Sequence, residues 1–313
     1  QLTRDECIRI VNAIASSLSA SLQAQIVDRA DGTPLFVEEL SRTVAESGAE
    51  ETEAIPITLR DALTARLDRT GPARLAANAA AVIGRTFELK LLASVLGQGV
   101  DSLRELLEPL RNSGLVSFRF TSIGEVGEFK HALVRDAAYH SMLRADRKAL
   151  HLRVADSLTS RGAKVSKAVV AQHLAEGDAA DQAVEMYIAA ADASVVTAAY
   201  LEARKLCHAA LEELGHVSDE FDRDSAELAL HEILGYTYRQ VEGHAHAMTE
   251  REFSKALDIA QSITVQPEHY RRLFSIYAGL SGTYSANGDS ERTEEVGLEL
   301  LGLAEELGDP GRQ

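Results

Sequence analysis

The 313 residues are 45% hydrophobic and 26% charged, so the chain can build a buried core and is long enough for two or more domains. A formal net charge of −16 excludes a nucleic-acid-coating role for the molecule as a whole, because phosphate binding needs clustered positive charge. Six Pro, no Trp and abundant Ala and Leu favour helix over sheet, no apolar run approaches the ~20 residues of a membrane span, and Cys7 and Cys207 read as buried, reduced thiols of a cytoplasmic protein.

Residues 3–28 predict one or two amphipathic helices through Ile8, Val11, Ile14, Leu18, Leu22 and Ile26. Ala30-Asp31-Gly32-Thr33-Pro34 is a turn, followed by a helix from Leu35 to about Ser47, with Pro34 near its first turn, where a missing N–H costs nothing. Residues 48–56 are polar and acidic and end in Ile55-Pro56, which predicts a linker and a domain boundary. Leu59, Leu63 and Leu67 then share one helical face. A second helix starts at Pro72 and is expected to bury Leu75, Ala79, Val82 and Ile83. A third covers Leu89–Leu96, and a fourth runs from Ser102 to Asn112 and stops at Gly114. Two strand-like segments, Leu115–Phe120 and Glu125–His131, flank a turn at Gly124, so helices followed by a hairpin predict a winged helix. A long helix or helix pair spans about Leu133–Arg161.

Beyond residue ~165 the pattern is helical hairpins only: approximately 167–177 with 180–196, then 198–214, 223–241, 248–263, 268–286 and 289–307. Leu234-Gly235 with Tyr238, and Leu280 with Tyr284, have the spacing of a tetratricopeptide first helix, and Ala256 and Ala209-Ala210 suit close helix packing. The fold class is therefore mainly α: a helical lid (1–50), a winged-helix-like domain with the helix after it (57–160), and an α-solenoid of tetratricopeptide-like helical hairpins (165–313).

The sequence contains no Gly-x-x-x-x-Gly-Lys-Ser/Thr phosphate loop, no His-Glu-x-x-His, no Cys-x-x-Cys and no Gly-x-Ser-x-Gly, so this chain alone offers no self-contained catalytic constellation. His244-Ala-His246 reads as a surface loop in preference to a metal site. Helix Ser102–Asn112 sets Asp101, Glu105 and Glu108 against Arg104 and Arg111, which disfavours groove reading, so no nucleic acid is expected as a partner. Residues 130–153 are the one basic stretch: a solvated face, or a surface for nucleotide phosphate or an acidic partner domain.

Several strings together carry a resemblance. They are Gly32-Thr33-Pro34-Leu35-Phe36-Val37-Glu38-Glu39-Leu40; Ile55-Pro56-x-Thr58-Leu59 with Ala65-Arg66-Leu67-Asp68-Arg69; Ala80-Ala81-Val82-Ile83-Gly84-Arg85-x-Phe87; Phe129-Lys130-His131-Ala132-Leu133-Val134-Arg135-Asp136-Ala137-Ala138-Tyr139; and Leu150-His151-x-Arg153-Val154-Ala155. As a set they resemble the bacterial signal-transducing ATPases with numerous domains, in the branch where a class III adenylate/guanylate cyclase domain often precedes an AAA-type ATPase and tetratricopeptide repeats. The resemblance implies that Gly32 and Pro34 lie against the base and sugar of a bound nucleotide. It also places His131 where related switches carry a histidine that contacts the β-phosphate of ADP, although Lys130 and Ala132 depart from the Met-His-Asp of those switches. ATP or ADP with Mg²⁺ would be held in the parent protein, with the phosphate loop in an upstream nucleotide-binding domain of the same chain, and no cofactor would be bound by this fragment alone. The array would receive a protein or ligand signal, and no membrane partner is implied. Gln1 without a Met and the Gly308-Asp309-Pro310 near the end read as cuts through a longer polypeptide. Two other readings stay open: a transcriptional regulator of the same ATPase type with a C-terminal helix-turn-helix outside this fragment, and a plain helical protein-interaction scaffold.

Overall fold

The computed structural model describes residues 1–47, 58–122, 124–162, 165–218, 222–263 and 269–306. The linker expected at 48–56 lies outside them. Among the described residues are sixteen helices and three strands, so the protein is mainly α, and no helix is long and apolar enough to cross a membrane. Internal packing divides the chain into Gln1–Ser157 and Leu158–Gln313.

The first unit opens with α1 (Arg4–Ile14), α2 (Ala20–Ala30) and α3 (Pro34–Ser47), and α4 (Leu59–Arg69) is the next described helix. Local chemistry sets these starts. Thr3 and Glu6 form a reciprocal capping box on α1, Thr58 and Asp61 form one on α4, and Ser19 caps α2. Apolar stripes from all four helices meet in one core of Val11, Ile26, Val37, Leu40 and Ala62, each fully buried.

The winged helix follows as α5 (Ala73–Ile83), β1 (Thr86–Glu88), α6 (Leu89–Leu96), α7 (Val100–Asn112), β2 (Val116–Thr121) and β3 (Gly124–Phe129). The sheet is antiparallel in the order β1-β3-β2. Phe87 pairs with Gly127, and its ring fills the space of the missing side chain: a Cβ on Gly127 would lie 2.4 Å from it. Strand β1 is too short for alternation to reveal, and the sequence reading missed it. That reading also turned Leu75 inward. It is 69% exposed, because α5 buries a broad alanine face (Ala73, Ala76, Ala77, Ala80) that leaves Leu75 outside. Of the long helix or helix pair expected over about Leu133–Arg161, the structure has the pair, α8 (Ala132–His140) and α9 (Arg144–Thr159).

The second unit stacks α10 (Lys167–Glu176), α11 (Ala180–Val196), α12 (Tyr200–Glu213), α13 (Arg223–Glu242), α14 (Ala247–Ser262), α15 (Tyr270–Ala286) and α16 (Ser290–Glu306). Each helix packs on the next, and α11, α13 and α15 also pack on one another, forming one layer of a tetratricopeptide-like array. Polar ties run along this layer. Arg272 of α15 reaches Glu232 of α13 at 2.8 Å and Asp192 of α11 at 2.9 Å.

Candidate functional site

The turn that ends α2 is left-handed at Asp31 (φ 45°) and Gly32 (φ 69°). The Gly32 carbonyl accepts the Leu2 N–H at 2.8 Å, and a Cβ on Gly32 would lie 2.7 Å from the Leu2 carbonyl oxygen. Glycine is thus required twice, by its φ and by the close approach of the chain start. Pro34 is the first residue of α3 and its ring is exposed. The Thr33 carbonyl accepts the N–H groups of Phe36 and Val37 at 3.0 Å each, which starts the helix behind it.

His131 stands at the junction of β3 and α8. Phe129 is fully buried against Phe87 (ring centroids 5.7 Å apart), and its N–H donates to the Arg85 carbonyl at 3.0 Å. The next amide, Lys130, donates to the Leu115 carbonyl at 3.1 Å. With Phe129 anchored inward, Lys130, His131, Ala132 and Leu133 all face solvent. His131 is the N-cap of α8 in extended backbone (φ −128°, ψ 140°), yet its side chain makes no cap hydrogen bond. The Val134 amide donates to the His131 carbonyl at 3.0 Å, and an exposed imidazole, an exposed lysine and the Ala132 and Leu133 amides, which the His131 side chain does not cap, occupy the same corner.

The structure brings Gly32 and Pro34 together in one turn. Between that turn and His131 lie the packing of α3 on α4 and of α4 on α8. The strongest tie along this route went unseen in the sequence. Arg66 of α4 donates to the Glu39 carboxylate of α3 and to the Ser113 carbonyl at the end of α7. Arg66 is 3% exposed and Glu39 is 4% exposed. Arg69 adds a 3.4 Å bond to the Thr43 carbonyl of α3. The available signal was the position of Arg66 in the apolar row of Ala62, Leu63 and Leu67.

Within the basic stretch, much of the charge is already engaged. Arg135 donates to the Ala81 carbonyl of α5 at 2.8 Å and lies 4.6 Å from the centre of the Tyr139 ring, while Arg147 approaches the same ring at 5.0 Å. The Tyr139 hydroxyl is 2.9 Å from Nε2 of buried His151. Burial, then the charges of Arg147 and Arg135, push the His151 pKa from 6.5 down to about 4. The folded value lies below the unfolded one, so stability is full above pH 6.5 and is lost as the pH falls toward 4. We expect a loss on the order of 3 kcal/mol across that window. Urea unfolding of wild type and His151→Gln at pH 7 and pH 4.5 checks it: the variant keeps an acceptor for Tyr139 and should be less sensitive to acid. Equal slopes would show that His151 titrates normally.

The helical array holds its own closed networks. His231 Nδ1 lies 2.6 Å from the Glu252 carboxylate, with both groups buried. Arg204 pairs with Glu242, donates to the Thr237 carbonyl at 2.8 Å and stacks 3.9 Å over Tyr238. Of the two histidines singled out near residue 245, His246 caps α14 and stacks on Tyr238, while the His244 ring fills the space beside Gly282. Cys7 and Cys207 are buried and free, and burial pushes the Cys207 thiol up to about 12.

No family model matches the chain. An uncharacterized protein of Rhizobium meliloti (strain 1021) is 28% identical over 261 residues, which cover 79% of this chain and 25% of that protein. The chain thus spans about a quarter of the curated relative it matches. Among solved structures, a Signal Transduction ATPase with Numerous Domains protein with a tetratricopeptide repeat sensor, from Pyrococcus horikoshii, overlaps 99% of this chain and 48% of its own, at 14% identity and a TM-score of 0.38.

Proposed function

We propose that this chain is the nucleotide-sensing rear half of a cytoplasmic signalling ATPase joined to a signal-receiving helical array. ATP or ADP with Mg²⁺ is held by an upstream domain of the same protein. ADP keeps the winged helix docked on that domain, and exchange for ATP releases it. A protein or ligand signal on the array biases the exchange, and the output is cyclic-nucleotide synthesis by a class III cyclase domain. One observation carries the reading: His131 is solvent-facing at a helix N-terminus beside Lys130 and leaves the cap unmade, an arrangement suited to donating to a phosphate oxygen. The exposed Pro34 ring beside Gly32 offers the apolar surface that a base and sugar would meet.

The test is His131→Ala in the full-length protein. A lost hydrogen bond to a charged phosphate costs about 1.5–3 kcal/mol, roughly ten- to a hundredfold in affinity. ADP affinity should fall by that factor, ATP affinity should fall less, and the melting temperature should hold. Equal losses for both nucleotides with a lower melting temperature would make His131 a structural residue.

A further inference from the structure

A cavity of about 600 Å³ lies in the first hairpins of the array, within the size range of small-molecule sites. The face of α11 that bounds it carries Met186 and then three small residues, Ala190, Ala193 and Ser194, and Val170 of α10 and Leu206 of α12 also line it. The hollow opens where α11 is small, at Ala190, Ala193 and Ser194. Its lining is mostly apolar, but the mouth is not. Helix α10 begins there, with Ser166, Lys167 and Ala168 all on the wall. Ser166 is the N-cap: its carbonyl accepts from the Val169 and Val170 amides, but its side chain makes no cap bond, so the Lys167 and Ala168 amides have no acceptor from Ser166. The Lys167 ammonium is exposed and makes no ion pair among the described residues. The lining carboxylate, Glu202, is already approached by Lys205 at 3.6 Å.

We infer that this cavity binds an amphipathic monoanion, a small molecule with an apolar body and one carboxylate, its body against Ala190, Ala193 and Leu206 and its carboxylate at Lys167. The sign follows from the mouth, where the only uncompensated charge among the described residues is positive and the helix end adds to it. The assignment names the ligand class for the array and rests on reading the array as the part that receives a signal. Binding to the 313-residue chain can nevertheless be measured whether or not a nucleotide switch exists.

The probe is 8-anilinonaphthalene-1-sulfonate, an aromatic monoanion, read by fluorescence and displaced by decanoate or by decylamine. The chain carries a net charge of −16, so unspecific adsorption favours the amine. Decanoate winning the competition can arise only from a local positive site. We expect saturable one-to-one binding displaced by decanoate and not by decylamine. Ala193→Trp fills the hollow from an exposed position on α11, and Ala168→Phe fills it from α10. Each should weaken binding at least tenfold with an unchanged melting temperature. Lys167→Met should weaken decanoate about fivefold, the scale of one partly exposed charge contact. Absence of saturable binding, or equal displacement by the amine, overturns the assignment. So does unchanged decanoate affinity in Lys167→Met, a surface change that the fold tolerates.

Discussion

Arg66→Met should cost the first unit about 3–5 kcal/mol, because it leaves the Glu39 carboxylate buried without its partner. Both side chains lie almost wholly out of water (3% and 5% exposed), so solvent cannot screen the loss. The same substitution takes away the Arg66 guanidinium that donates to the Ser113 carbonyl. Against a typical total stability of ~5–15 kcal/mol, this is a large fraction. Removing both charges is a different matter. In Glu39→Leu/Arg66→Met no uncompensated ion remains, so the double variant should be more stable than Arg66→Met alone. Urea unfolding of the four chains of this cycle, with hydrogen exchange followed on α3 and α4, measures the coupling. If Arg66→Met lies within about 1 kcal/mol of wild type, the guanidinium is not where the structure puts it. The consequence reaches function, since this pair ties the helix behind Gly32 and Pro34 to α4, on which the helix headed by His131 packs.

The helices were legible because their burial is one-sided. Leu63 and Leu67 on α4, or Leu103, Leu107 and Leu110 on α7, recur at helical spacing and are fully buried. The turn at Gly32 and the winged helix were legible for similar local reasons. Leu75 misled because α5 is apolar almost all round, so periodicity could not choose a face. The Glu39–Arg66 pair could not be read. It joins residues 27 positions apart on different helices, and only the odd placement of an arginine in an apolar row hinted at it. The cavity was equally hidden, because a hollow is a property of three helices at fixed spacing and of none singly. His131 was legible as a junction residue, and the structure adds that its side chain faces solvent and leaves the helix uncapped.

Phe253→Ala should destabilise the array by about 3–5 kcal/mol, the usual cost of emptying a fully buried phenyl site. The site is unusually tight. Phe253 of α14 is wedged between two glycines, Gly235 of α13 and Gly279 of α15, both inside helices. Glycine inside a helix gives up about 1 kcal/mol relative to alanine, so each needs a packing reason. The ring supplies it: a Cβ would meet it at 2.7 Å on Gly235 and at 2.3 Å on Gly279. Moving away from one glycine drives the ring into the other. Gly279→Ala therefore sets a helix gain of about 1 kcal/mol against an overpacking cost of typically 1–3 kcal/mol, and should destabilise. The sign should reverse when the ring is gone. In a Phe253→Ala background the hole admits the methyl group, only the helix gain remains, and Gly279→Ala should be neutral or stabilising. Urea unfolding of the single and double variants reads this reversal directly. A Gly279→Ala substitution that costs nothing in the wild-type background would mean that α15 is free to shift away from α14, and the glycine pair would then not be what sets the spacing of the array.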